Sequence, residues 1–294
     1  MNRPFTLTAL FFFLALSAGA QTSPATKPHA PPPRSRAEVE AVMAKVPPQK
    51  GDLRPLHILL VAGPKDHGRG EHDYPAWQRA WAPLLSKASN VTIETAWQWP
   101  TPEQLKSTDV LVCYFKSPWT AEQIDDVKAL HARGGGLVLL HWAISPSQEF
   151  VKHQDITGLT YKSAQYRHGP IDMKLAGEHP ILLGLPKPLH FYDESYWPLL
   201  GDQAVVNLLG TSDEKVNKTD EATTPIPVMW TYQPPSGKGR SFVSILGHYA
   251  WTFDDPYFRL LILRGMAWSA GESPYRFDSL AIDGVTFAPE PASK

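Results

Sequence analysis

Between residues 56 and 141, short apolar runs alternate with amphipathic stretches. LHILLVAG (56–63), VTIETAW (91–97), DVLVCYF (109–115) and LVLLH (137–141) are rich in Val, Ile and Leu, the pattern of buried strands. Helical patterns separate them. One runs through YPAWQRAWAPLLSKA, one follows Thr101 in TPEQL, and one follows Thr120 and stops at GGG. Both threonines stand where an N-cap hydroxyl is useful. Strand–helix alternation predicts a parallel sheet with right-handed crossovers.

The pattern then changes. IDMKL, AVVNLLGT, IPVMWTY and SFVSILGH predict strands with shorter connections, and QPPSGKGR between the last two reads as a hairpin loop. Antiparallel strands are therefore expected at one edge of the sheet. DPYFRLLILRGMAWSAG predicts a closing helix, with Asp255 as N-cap, Pro256 in the first turn and Gly271 at the end. The expected class is α/β with a mostly parallel sheet and an antiparallel hairpin at one edge.

The two ends of the chain do not follow these patterns. MNRPFTLTALFFFLALSAGA has a charged Arg3, a short apolar run and small residues at 18–20, the arrangement of a cleavable export signal. Such a chain is periplasmic or secreted, with no stable membrane insertion after cleavage. Residues 21–55 are rich in proline and read as a linker with one short helix in RAEVEAVMAKV. The domain then spans 56–272, and 273–294 form a C-terminal tail. A net charge of −1 and the lack of a basic stripe argue against a nucleic-acid partner. Cys113 is the single cysteine and excludes an internal disulfide. It lies inside VLVCYF, which marks it as core and not a nucleophile.

Four histidines draw attention by position. His141 ends the fourth strand, His248 ends SFVSILGH, His72 sits in the loop DHGRGEHDYP after the first strand, and His168 lies in QYRHGP. In an open α/β sheet, loops at the carboxyl ends of strands meet in one crevice. Neutral imidazole suits metal binding, proton transfer or hydroxyl recognition. A lone histidine after a strand is more often a satisfied polar residue than a ligand, so each also has that reading. Asp193 and Glu194 in HFYDESYW are carboxylates among aromatics, fit for a base, a ligand or a turn. H-E-x-x-H, C-x-x-C and G-x-S-x-G are absent, and no complete G-x-G-x-x-G occurs, so a nucleotide cofactor is not expected.

Read together, GGGLVLLH, RHGP, EHPILLGLP, FYDESY and PVMWTYQPPSGKGRSFVSILGHYAWTFDDPYFRLLILRGMAWSAG resemble the trehalose-utilisation (ThuA-like) family. The resemblance implies a flavodoxin-like three-layer sandwich of the class I glutamine amidotransferase type. His141 is similar in place to the cysteine of those amidotransferases, and His248 to their histidine, so glutamine hydrolysis is not expected. It also implies carbohydrate metabolism, on a keto-sugar or glycoside. The expected catalytic residues are His141, His248 and Glu194. His72, His168, Asp193, Trp142 and Tyr249 are expected to bind substrate, and His141, His248 and His168 to hold a divalent metal such as zinc. The alternative is a non-catalytic sugar-binding module. The partner is a small carbohydrate, and the oligomeric state is left open.

Overall fold

In a computed structural model, which describes residues 28–48, 51–116, 118–145, 149–217, 219–235 and 237–290, the early apolar runs form parallel strands. The predicted export signal lies outside the described residues. A helix α1 (Arg36–Met43) leads into β1 (Leu56–Ala62), α2 (Tyr74–Leu85), β2 (Val91–Trp97), α3 (Pro102–Ser107), β3 (Val110–Tyr114), α4 (Ala121–Ala132) and β4 (Gly136–Leu140). The second half contains α5 (Phe150–Thr157), β5 (Thr160–Leu175), β6 (Leu189–Leu200), β7 (Asn207–Glu214), β8 (Thr224–Tyr232), β9 (Arg240–Ser244) and α6 (Pro256–Ser269).

Local chemistry explains the helix starts. Thr101 and Thr120 each cap a helix and exchange hydrogen bonds with Gln104 and Gln123, two capping boxes. Asp255 accepts from the N–H groups of Tyr257 and Phe258 at the start of α6. Every residue of β3 and β4 is buried, as expected of strands covered on both faces. Cys113 lies in β3, and burial pushes its thiol pKa up. Helix α6 is buried along almost its whole length. It approaches the sheet at Gly265, where a Cβ would lie 2.5 Å from the Phe242 ring.

The nine described strands form one sheet in the order β2-β1-β3-β4-β9-β8-β7-β5-β6. The expectation of a mostly parallel sheet is corrected here. Four pairings, from β2 to β9, are parallel, and four, from β9 to β6, are antiparallel. The cause is an insertion. Strand β9 returns beside β4, and the strands between them in sequence extend the sheet beyond β9. The antiparallel part is thus four strands built onto β9, not one hairpin. Its outermost pair, β5 and β6, forms a long ribbon, with Gly169 and Pro170 inside β5.

Both flanking segments pack on the core. Arg34, within the predicted linker, pairs with Asp255 at 2.8 Å and lies 4.2 Å from the centre of the Tyr257 ring. After Gly271, the predicted tail forms a 3₁₀ segment, Pro274–Ile282, that buries Phe277 and Leu280. Its Asp278 pairs with fully buried Arg264 of α6 at 2.8 Å. No described helix is long and apolar enough to cross a membrane.

Candidate metal centre

The carboxyl ends of β1, β4 and β9 lead to His72, His141 and His248. His141 does not end β4 but opens the 3₁₀ turn His141–Ile144 that follows it, at a left-handed φ of 52°. That conformation is costly for a side chain larger than glycine and is found where surrounding structure enforces it. Here the His141 carbonyl accepts from Tyr196 Oη at 2.7 Å, and its Nδ1 bonds Ile245 O at 2.6 Å. His248 stands four residues past β9. His72, after β1, is tied to it by a backbone bond from His72 N to His248 O at 3.0 Å. From the other half of the sheet, the ribbon brings Glu194 opposite His168 and Asp193 opposite Gly169.

These side chains converge. Nε2 of His72 lies 2.8 Å from Nε2 of His141. Glu194 Oε2 lies 3.2 Å from His141 Nε2 and 3.2 Å from His248 Nδ1. His248 Nδ1 is buried and makes no hydrogen bond. His72, His141, Glu194 and His248 are all buried, and each offers one ligand atom within 4.8 Å of the others.

The hydrogen bonds fix the tautomers. Ile245 O can only accept, so His141 Nδ1 carries the proton. Asp66 Oδ1, 2.8 Å from His72 Nδ1, likewise requires an N–H there. In their neutral forms both rings then direct an Nε2 lone pair at the other across 2.8 Å. A positive charge has to lie between them, either a proton on one ring or a metal ion bound by both. The charges around the rings are consistent with this. Burial opposes charge on His141, yet its bond to Glu194 and the nearby carboxylates raise its pKa above the usual value. Burial, with His141 and His248 beside it, drives the His72 pKa down to about 2. Burial would raise Glu194, but the His141 and His248 rings hold it well below the usual carboxylate range.

Other expected residues take different places. His168 is at the rim, its side chain one-third exposed, with Nε2 3.6 Å from Glu194 Oε1 and Nδ1 3.0 Å from Tyr249 Oη. It is not among the four converging ligand atoms, whereas His72, expected only to touch substrate, is. Asp193 is fully buried and saturated. It accepts from the N–H groups of Glu194 (2.7 Å), His248 (2.9 Å) and Gly247 (3.1 Å) and from the Thr252 hydroxyl. It holds the site together and has no oxygen left for a substrate. Trp142 and Tyr249 pack beside the cluster, Trp142 with its ring centre 6.3 Å from that of His72 and Tyr249 4.6 Å from His248. Asp66 was not foreseen. It binds His72, His67 and, at 2.9 Å, Lys116, and it is held ionised by those neighbours against the effect of burial. The only sequence signal for it was an aspartate opening the polar loop that carries His72.

Residues 60–269 match the family model for trehalose utilisation, ThuA. Among solved structures, a ThuA-like protein from Parabacteroides merdae ATCC 43184 is 19% identical, with 74% of this chain and 91% of that chain covered and a TM-score of 0.57. A ThuA-like protein from Bacteroides uniformis ATCC 8492 is 18% identical, with 78% and 99% covered and a TM-score of 0.57. At these identities the likeness is one of fold. None of the curated proteins matches the chain.

Proposed function

Because this chain belongs to the trehalose-utilisation (ThuA-like) family, we propose that its crevice holds a divalent metal and acts on a carbohydrate, a keto-sugar or glycoside. The observation that carries the metal is the pair of His72 and His141 Nε2 atoms 2.8 Å apart, with a His248 Nδ1 that makes no hydrogen bond and a carboxylate oxygen alongside. Three imidazoles and one carboxylate suit zinc or a similar first-row ion. His72, His141, His248 and Glu194 would hold it. Bound there, it supplies a Lewis acid for a sugar carbonyl or hydroxyl.

The protein's own groups have separate roles in this reading. Asp66 fixes the His72 tautomer, as outer-shell carboxylates do. His168 is open to solvent and beside Glu194, so it exchanges the proton with the substrate, oriented by Tyr249. Trp142 and Tyr249 offer apolar surface to a sugar ring. The parallel half, in the order β2-β1-β3-β4-β9, is read as flavodoxin-like, with the crevice at the carboxyl ends of its strands. The chain is read as exported by cleavage after Ala20, so the amino-terminal sequence of protein recovered outside the cytoplasm should begin at Gln21.

Elemental analysis of residues 21–294 tests the centre directly. About one metal per chain is expected, lost in both His141→Ala and His248→Ala. His168→Ala is expected to keep the metal and to lose about 100-fold or more in turnover of keto-sugars. A folded wild-type protein that takes up no metal when zinc, manganese or nickel is supplied would overturn the reading.

A further inference from the structure

Among the described residues, the exposed large apolar side chains are Trp97, Val151, Tyr166, Leu183 and Val205. Tyr166, 63% exposed, is the one on the β5–β6 ribbon that carries His168 and Glu194. Its ring stands across that of His168, with 5.5 Å between centres at 83°. At that exposure a face of the ring is open to solvent. The register shows where it looks. Side chains two apart on a strand share a face, as do directly opposite residues of an antiparallel pair. Tyr166 pairs with Tyr196 and His168 with Glu194, so these four stand on one face of the ribbon. That is the face of the reactive end: Tyr196 Oη holds the His141 carbonyl, and Glu194 meets His141 and His248.

The strand under this ring is held firmly. Arg167, between Tyr166 and His168, donates from Nε and Nη2 to the two oxygens of buried Glu214 at 2.7 and 2.8 Å. That fork pins β5 to β7 from the side opposite the two rings. The register of β5 shifts between Tyr161 and Gln165, just before Tyr166. Irregularities of this kind re-aim side chains beside reactive sites. Tyr166 and His168 are about 6.6 Å apart along the strand. A ring whose reacting atom lies beside His168 leaves the Tyr166 face to whatever that ring is joined to. A flat, apolar face suits the C–H face of a sugar ring or the face of an aryl group.

We propose that Tyr166 is the platform for the second ring of a two-ring glycoside whose first ring occupies the crevice. This rests on the carbohydrate reading above and not on the metal.

Calorimetric titration of the full chain compares one-ring with two-ring probes. The former are the methyl gluco- and galactopyranosides in both anomers. The latter are the matching 4-nitrophenyl glycosides, with maltose, cellobiose and lactose. At least one two-ring probe should bind about tenfold or more tighter than its methyl counterpart. Tyr166→Ala should cut that margin to about twofold or less. It should leave methyl glycoside affinity, metal content and melting temperature at wild-type values, since the side chain is on the surface. Tyr166→Phe, which keeps the ring face, should keep the margin. A margin with the nitrophenyl probes alone assigns the second ring to an aryl group, and one that extends to the disaccharides assigns it to a sugar. No margin in wild type, or a margin that survives Tyr166→Ala, overturns the proposal, and the carbohydrate reading stands as long as methyl glycosides bind. If no probe binds at about 50 mM, the carbohydrate reading falls and the proposal with it.

Discussion

Asp193 and Asp66 are both carboxylates beside the histidine cluster, and their surroundings give them different consequences. Both Asp193 oxygens face donors, three backbone N–H groups and the Thr252 hydroxyl. An amide in its place turns one oxygen into a donor pointed at donors. Asp193→Asn should therefore cost about 2–3 kcal/mol of stability in urea denaturation, together with metal affinity, because Glu194 and His248 hang from the same bonds. Asp66 is partly open and binds the side chains of His72, His67 and Lys116. Asp66→Ala should leave the urea midpoint near wild type while weakening metal binding about 10–100-fold in a competition titration, since His72 loses what fixes its tautomer. The sequence carried the candidates His141, His248 and Glu194, because strand ends and carboxylates among aromatics are local patterns. It did not carry Asp66, nor the exchange of places between His72 and His168. Both depend on which nitrogen meets which oxygen across the crevice, and no run of residues encodes that.

Elements with a chemical start signal were the legible ones. The strand from Val91 to Trp97, the caps at Thr101, Thr120 and Asp255, and the close of α6 before Gly271 stand where the pattern predicts. The ribbon of β5 and β6 was not legible as a whole. Gly169-Pro170 interrupts the apolar pattern of β5, so only IDMKL read as strand, and HFYDESYW places carboxylates where a core strand would have aliphatics. The ribbon extends to the histidine cluster, where its polar Asp193 and Glu194 arrive. Asp255 shows how one cap can serve two elements. It caps α6 and also binds Arg34, whose guanidinium donates to His190 O as well. Asp255→Ala should lower stability by about 1–2 kcal/mol, read from the urea midpoint. It should also open the segment around Arg34 to limited proteolysis, which removing a helix cap alone would not do.

Across the whole molecule, several histidines are buried in neutral form. Burial holds His131 down to about 4 and His153 down to about 3. In the unfolded chain both titrate near the ordinary value of about 6.5. As pH falls below that value, the unfolded chain binds protons that the folded chain refuses, so stability falls on acidification. The slope is about 1.4 kcal/mol per pH unit for each such histidine until its folded pKa is reached. The melting temperature should drop from pH 7 to pH 5. His153→Leu, at a ring whose Nε2 has no partner, should recover about 2 kcal/mol of that loss at pH 5.

The neighbouring positions of β4 and β9 have a consequence for when the protein becomes competent. Leu140 pairs with Ser244, across most of the second half of the chain. The four converging ligands come from residues 72, 141, 194 and 248, and the last is placed only after β9 has docked. Until then a nascent chain has β4 paired with β3 alone and three ligands without the fourth. A partial chain has no complete pocket in which to retain an ion, so the metal proposed above is taken up last. If the site binds a metal as proposed, the ions it first meets in a complete form are those of the compartment where folding finishes, whatever ions surround the ribosome that made it.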